Sequence, residues 1–220
     1  MLCELRFPPV AAINGAALGG GLEIAMHCDG LIAAPPPMKD GQPGRPYPIG
    51  LPEAGLMICP GWGGTNLLAA RIDPAEGIRR TAEGKPMLID EAARAGLLDA
   101  MAPSPEALHS PAAAWLQEHR NAPGARRDGQ PLKWIGRVDR KAACLAAYHR
   151  LLQDLPRTDP HAAVLKAVHA GLEHGWQAAL DVERIELNRL RASPAGKAAI
   201  QAFLNKSAAP APAAGGPQKA

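Results

Sequence analysis

The sequence predicts an α/β protein whose carboxy-terminal half is entirely helical. Three observations carry this. Short apolar runs alternate with glycine turns and short helical stretches as far as residue 103. From Ser104 onward only helix-compatible windows remain. Aromatic residues make up 4% of the 220 residues although hydrophobic residues make up 47%, so the core has to be packed from small side chains, with 23 glycines and 23 prolines supplying turns. The hydrophobic fraction excludes wholesale disorder, and no Gly-X-Y period exists, which excludes a collagen-like chain. A chain of this length covers a core without metals or disulfides.

Pro9 to Asn14 reads as a short buried strand, although its length also suits a helix fragment. Gly15-Ala-Ala-Leu-Gly-Gly-Gly21 follows. Four glycines in seven positions imply a turn with positive φ or a close backbone approach. Leu22 to His27 read as helix and Leu31 to Ala34 as a second strand. Ala34 to Pro48 holds six prolines and is expected to be an extended surface loop. Order resumes at Ile49-Gly-Leu-Pro-Glu53. Pro60-Gly-Trp-Gly-Gly-Thr65 is a turn that ends at a helix start, with Thr65 as N-cap for Asn66 to Arg71. Pro74 opens the next helix, which ends near Glu83-Gly84. Met87 to Ile89, an Asp90-capped helix to Gly96, and Leu97 to Ala102 give a strand–helix–strand unit.

Further helices are expected over 106–119, 138–154, 160–173, 175–191 and 194–204. In the fourth, Leu180, Val182, Ile185, Leu187 and Leu190 show mixed spacing. Residues 207–220 are rich in Ala, Pro and Gly and read as a disordered tail. The chain thus divides into 1–103, a helical 104–206, and the tail.

Charge decides little, with a formal net of +3. The densest basic stretch, Arg120, Arg126, Arg127, Lys133, Arg137, Arg140 and Lys141, is broken by Asp128 and Asp139. It reads as a solvated face or linker, with an anionic partner as the alternative, and no nucleic-acid module is present. Cys3, Cys28, Cys59 and Cys144 lack CxxC spacing, so no zinc or thioredoxin-like site is indicated. Cys28 reads as a small buried hydrophobe. Scattered thiols fit a reducing compartment. The first residues lack the regions of a signal peptide, and no apolar run reaches about 18 residues. A cytoplasmic protein without a membrane span is expected. The seven histidines form no metal-binding pair, and surface or packing roles are expected for them. There is no G-x-S-x-G elbow.

Three features carry possible chemistry. A strand, a glycine turn and a helix start together present N–H groups at the positive end of a helix dipole, suited to a phosphate or a developing oxyanion. The dinucleotide fingerprint fails because Ile24 occupies the third glycine position, and the P-loop fails because Glu23 stands where Gly-Lys-Ser/Thr would be. A tight packing turn is the plain alternative. Glu23 lies on the first turn of an apolar helix, where it needs a partner or a raised pKa, unless it serves only the helix dipole. Glu53, after Pro52 and between glycines, is either an exposed loop carboxylate or a second acid–base group.

Pro9-Val-Ala-Ala-Ile-Asn-Gly-Ala-Ala-Leu-Gly-Gly-Gly-Leu-Glu23 and Gly50-Leu-Pro-Glu-Ala-Gly-Leu-Met-Ile-Cys-Pro-Gly-Trp-Gly-Gly-Thr65 together resemble the signatures of the crotonase (enoyl-CoA hydratase/isomerase) superfamily. Glu83-Gly-Lys85 and Asp90 to Asp99 match the family's next helix and strand. Ser193 to Asn205 resembles the segment that links hydratase and dehydrogenase parts in the multifunctional fatty-acid oxidation α-subunit. The resemblance implies the C-terminal half of a ββα spiral followed by a helical region. It implies hydration of 2-trans-enoyl-CoA thioesters, with isomerase activity or a non-catalytic interaction piece as alternatives. Gly20, with Gly21 beside it, would turn a backbone N–H to the thioester oxygen, forming an oxyanion hole. Glu23 and Glu53 would hold a water between them, one as base toward it and the other, Glu53, delivering the proton to the α-carbon. No cofactor is implied, CoA being part of the substrate. Only seven residues precede Pro8, so the family's N-terminal half, with its other oxyanion donor and much of the CoA surface, is expected to be missing. One donor fewer costs roughly 3–4 kcal/mol of transition-state stabilisation, so this chain alone is expected to be a weak hydratase or inactive. Its expected partners are an acyl-CoA substrate and a second copy, a separate N-terminal half or a dehydrogenase part. The proline-rich loop is longer than usual in the family.

Overall fold

A computed structural model describes residues 2–120 and 128–208, with side chains to 206. It is a mixed α/β structure. Strand β1 (Val10–Ile13) is followed by β2 (Ala17–Leu18), helix α1 (Gly20–Met26) and β3 (Gly30–Ala33). A small hairpin, β4 (Met38–Lys39) and β5 (Gln42–Pro43), leads to β6 (Pro48–Gly50) and a 3-10 turn at Glu53–Leu56. Then come α2 (Gly64–Arg71), α3 (Pro74–Glu83), β7 (Met87–Leu88), α4 (Ile89–Arg94) and β8 (Ala100–Met101). Helices α5 (His109–His119), α6 (Val138–Asp154), α7 (Asp159–His174), α8 (Trp176–Ala192) and α9 (Pro194–Ala208) complete the described chain.

The strands feed two small sheets in turn, which gives the spiral character. One sheet has the order β1-β3-β8 with both pairings parallel, Val10 opposite Gly30 and Ile32 opposite Ala100. The other has the order β2-β6-β7, with β2 parallel to β6 and β6 antiparallel to β7. The first two passages of the chain each place one strand in each of these sheets before a helix returns it, whereas α4 separates β7 from β8. Strand β3 is buried throughout, which explains its uninterrupted Leu-Ile-Ala run. Helix α3 starts where the Asp73 side chain accepts from the Glu76 N–H and Pro74 takes the first turn, and stops at Gly84 with φ 65°. One buried cluster runs from Ile13 on β1 through α2 and α3 to Val164, Val168 and Leu190 of the later helices.

Several local expectations are corrected. Thr65 is not an N-cap: α2 begins two residues earlier, at Gly64 behind Gly63, and the Thr65 hydroxyl is used elsewhere. Asp90 does not cap α4, whose preceding residue is Leu88 with no side-chain capping bond. The strand read over 97–102 shrinks to Ala100–Met101, and it joins a different sheet from β7. The helix read from 106 begins at His109. The proline-rich loop is not simply extended, because it folds the β4–β5 hairpin and buries Tyr47, whose hydroxyl donates to the Ala34 carbonyl at 2.5 Å. Helix α9 continues through Ser207 and Ala208, so the first two residues of the supposed tail are helical, while 209–220 lie outside the described residues.

The basic stretch is bound to the fold rather than merely solvated. Arg137 pairs with Asp128, Lys133 with Asp99, and Arg140 donates to the Ile72 carbonyl, while Trp134 between them is buried. Arg126 and Arg127 lie outside the described residues.

Candidate active site

The site is built where α1, the 3-10 turn and the N-terminus of α2 meet. Gly19 turns the chain into α1 with φ 55° and ψ −130°, and its N–H donates to the Gly50 carbonyl at 2.9 Å. A Cβ at Gly19 would lie 2.8 Å from Oε1 of Glu53, so this glycine is needed for a close approach as well as for its backbone angle. Gly20 is the first residue of α1, and a first-turn N–H has no partner inside its helix. Neither Gly20 nor Gly21 has a neighbour within 4 Å of where a Cβ would sit.

Glu23 is buried to 4% exposure on α1. Its Oε1 accepts the Trp62 N–H at 2.8 Å and the Gly64 N–H at 2.9 Å. Burial raises its pKa, and the N–H groups of Trp62, Gly64 and Gly61 oppose that rise. Glu53 enters from the 3-10 turn. Burial, with the charge of Glu23 adding to it, pushes its pKa up to about 7, and its Oε2 is buried without a hydrogen-bond partner. The structure therefore brings Glu23, Glu53 and the glycine turn together. Two carboxylates that feel each other have unlike surroundings: one is gripped by backbone donors, the other has a bare oxygen.

A third carboxylate was not singled out in the sequence. Glu183 of α8 is fully buried. It accepts from the Gly63 N–H at 2.5 Å, from the Thr65 N–H at 3.0 Å and from the Thr65 hydroxyl. Burial and the nearby charge of Glu23 push its pKa up to about 8. The signal for it was periodic. Trp176, Ala179, Glu183, Glu186 and Leu190 are the buried residues of α8 and recur at spacings of three and four, so Glu183 sits in the middle of an inward face. Weighing only apolar residues hid this.

His27 takes a packing role, as expected for the histidines. It is buried at the end of α1, where Nε2 donates to the Trp62 carbonyl at 2.8 Å and the ring meets Trp176 edge-on with centroids 5.7 Å apart. Burial lowers its pKa, and the bond to the Trp62 carbonyl opposes that. A cavity of about 490 Å³ opens here between Ile24, His27, Trp62, Leu180 and Leu187. It is lined by neither Glu23 nor Glu53, so it adjoins the carboxylate pair without containing it. A second cavity of about 420 Å³ runs along Ala11 to Ala17 as far as Gly21. All four cysteines are free and buried, Cys28 as expected for a small hydrophobe.

The chain is similar to known proteins over most of its length. The family model for enoyl-CoA hydratase/isomerase matches residues 1–128. The glyoxysomal fatty acid beta-oxidation multifunctional protein MFP-a of Cucumis sativus is 32% identical over 200 residues, covering 90% of this chain and 26% of its own length. The fatty acid oxidation complex subunit alpha of Idiomarina loihiensis is 30% identical over 201 residues, covering 87% and 26%. The chain thus spans about a quarter of the length of these relatives. An enoyl-CoA hydratase from Mycobacterium avium subsp. paratuberculosis superposes with a TM-score of 0.58 at 20% identity, covering 93% of this chain and 65% of its own. A carnitinyl-CoA hydratase from Mycobacterium avium gives 0.57 at 22% identity, covering 92% and 61%.

Proposed function

Because the chain belongs to the enoyl-CoA hydratase/isomerase family, we propose that it carries the acid–base pair of an enoyl-CoA hydratase, adding water in syn fashion to 2-trans-enoyl-CoA thioesters of fatty-acid β-oxidation. The observation that carries this is the pairing of Glu23 and Glu53 with opposite environments. Glu23, supplied with N–H donors that favour its anion, takes the proton of a water that attacks the β-carbon. Its charge helps keep a proton on Glu53, since like charges close together separate their pKa values. With a pKa of about 7, Glu53 holds that proton about half the time at neutral pH and gives it to the α-carbon. The N–H of Gly20, with Gly21 beside it, faces the negative charge that develops on the thioester oxygen.

No cofactor is invoked beyond the CoA that the substrate carries. Among the described residues no helix is long and apolar enough to cross a membrane. We place the chain in the cytoplasm on its four free thiols, although plant relatives are named glyoxysomal or peroxisomal. Since the relatives are multifunctional proteins, association with a further part of such an assembly, or with a second copy, belongs to the same reading.

The test is crotonyl-CoA hydration by the purified chain, followed by loss of the conjugated thioester absorbance. Glu23→Gln and Glu53→Gln should each lower turnover by about 10²–10⁴-fold. Turnover that survives both substitutions would sink the assignment. The bare oxygen of Glu53 also supports isomerase chemistry, in which one carboxylate moves a proton along the acyl chain. In that case Glu23→Gln would abolish hydration and spare 3-enoyl-CoA isomerisation. A wild-type chain that turns over neither substrate would point to an interaction piece.

A further inference from the structure

Glu183 is a buried acid to which the acid–base chemistry gives no task, and its contacts are unusual. One turn further along α8, Glu186 pairs with Lys166 at 2.8 Å and Arg189 at 2.7 Å. Glu183 meets no cation among the described residues. Every hydrogen-bond partner of its carboxylate among the described residues belongs to the turn that opens α2: the N–H of Gly63, the N–H of Thr65 and the Thr65 hydroxyl. The intervening N–H groups of that same turn, from Trp62 and Gly64, go to Glu23. The four successive N–H groups from Trp62 to Thr65 thus alternate between two carboxylates.

Helix α8 fits that strip tightly on either side of Glu183. A Cβ at Gly63 would lie 2.3 Å from the Trp176 ring, and one at Gly61 would lie 2.5 Å from a Leu187 methyl. Trp176, Glu183 and Leu187 share one helical face, being seven and four residues apart. The strip cannot shift toward α8 because these side chains block it. It cannot rotate without breaking the bonds of both carboxylates, and a buried donor left unpaired costs about 1–3 kcal/mol.

We infer that Glu183 is a positioning residue of the hydratase site: by fixing the Gly63 and Thr65 N–H groups it aims the Trp62 and Gly64 N–H groups at Glu23 and so sets the orientation of that carboxylate toward the reacting water. The functional half of this rests on the hydratase reading above; the geometric half does not. The task needs an oxygen at both side-chain positions, Oε2 toward the Gly63 N–H and Oε1 toward Thr65. Glutamine has one, and its amide would present N–H to donors.

The experiment compares wild type with Glu183→Gln, Thr65→Val and Thr65→Ser. Steady-state crotonyl-CoA hydration should show kcat reduced tenfold or more by Glu183→Gln, with KM changed less than threefold. Thr65→Val, which deletes the hydroxyl at nearly equal volume, should lower kcat by threefold to tenfold, and Thr65→Ser should lower it less than Thr65→Val does. Amide hydrogen exchange supplies a readout independent of turnover. In wild type, Trp62, Gly63, Gly64 and Thr65 should exchange slowly, and in Glu183→Gln all four should exchange at least tenfold faster. Faster exchange confined to Gly63 and Thr65 overturns the inference, as does an unchanged kcat in an active chain. If the wild type shows no turnover, the kinetic comparison falls away and the exchange pattern alone decides. If Glu183→Gln does not fold, Thr65→Val is read in its place by the same exchange criterion.

Discussion

At Gly19 two demands coincide. The backbone sits at φ 55°, where an L side chain is strained, and a Cβ would crowd the Glu53 carboxylate at 2.8 Å. Gly19→Ala should therefore move Glu53 as well as strain the turn. A displacement of the order of 1 Å at a catalytic group costs about 10²-fold in rate, so kcat for crotonyl-CoA should fall by about that factor. Gly15→Ala, with nothing within 4 Å of its Cβ, serves as the control and should retain most of the activity. Equal effects of the two substitutions would refute the role given to Gly19. Glu23 and the glycine turn stood out in the sequence because a carboxylate in an apolar helix start and clustered glycines are anomalous on composition alone; Glu53 reads equally as an exposed loop carboxylate, and only the family resemblance pairs it with Glu23. That Gly19, rather than Gly20 or Gly21, is the sterically required glycine was not legible. The atom that requires it belongs to a residue 34 positions away.

Element packing explains why α2 stands where both carboxylates reach it. Helices α2 and α3 touch backbone to backbone, since a Cβ at Gly77 would lie 2.6 Å from Cα and 2.9 Å from N of Ala69. Overpacking of this kind costs about 1–3 kcal/mol, against a gain of about 1 kcal/mol from replacing glycine by alanine in a helix. Gly77→Ala should therefore lower stability, seen as a lower urea midpoint with an unchanged slope. A raised midpoint would show that α3 moves away freely. The ends of α3 were legible because Pro74 and Gly84 mark them locally, while its capping by the Asp73 side chain emerged only in the structure. The misread caps share one cause. Thr65 follows a glycine turn in the manner of an N-cap, but a buried acceptor 118 residues away claims its hydroxyl. The sheets were half legible: β1, β3, β7 and β8 read as strands, whereas β2 and β6 do not, being two and three residues long beside glycines, and which of the two sheets each strand joins depends on long-range pairing that so short a run does not encode.

At the scale of the whole molecule, a single buried cluster joins the strand-bearing part to the later helices, and it holds acids whose protonation is tied to folding. Glu53 and Glu183 have folded pKa values of about 7 and about 8, raised chiefly by burial, and Glu23 is raised as well. In the unfolded chain these groups titrate near about 4.3. Between the two ranges the folded state binds more protons than the unfolded state, so stability falls as pH rises, with the decline ending above the folded values. His27 and His161, whose pKa values burial lowers, act in the opposite direction up to about pH 6.5. A difference measurement isolates the acid. At pH 5 Glu183 is protonated in the folded protein and resembles glutamine in charge. At pH 8.5 the wild type buries an anion that Glu183→Gln lacks. The destabilisation caused by Glu183→Gln, measured by urea unfolding, should therefore be larger at pH 5 than at pH 8.5, with the change centred between the unfolded value and about pH 8. A gap that is constant across this range, or one that widens toward alkaline pH, would show that Glu183 is already ionised in the folded protein at pH 5. Its grip on the α2 turn would then be that of an anion throughout.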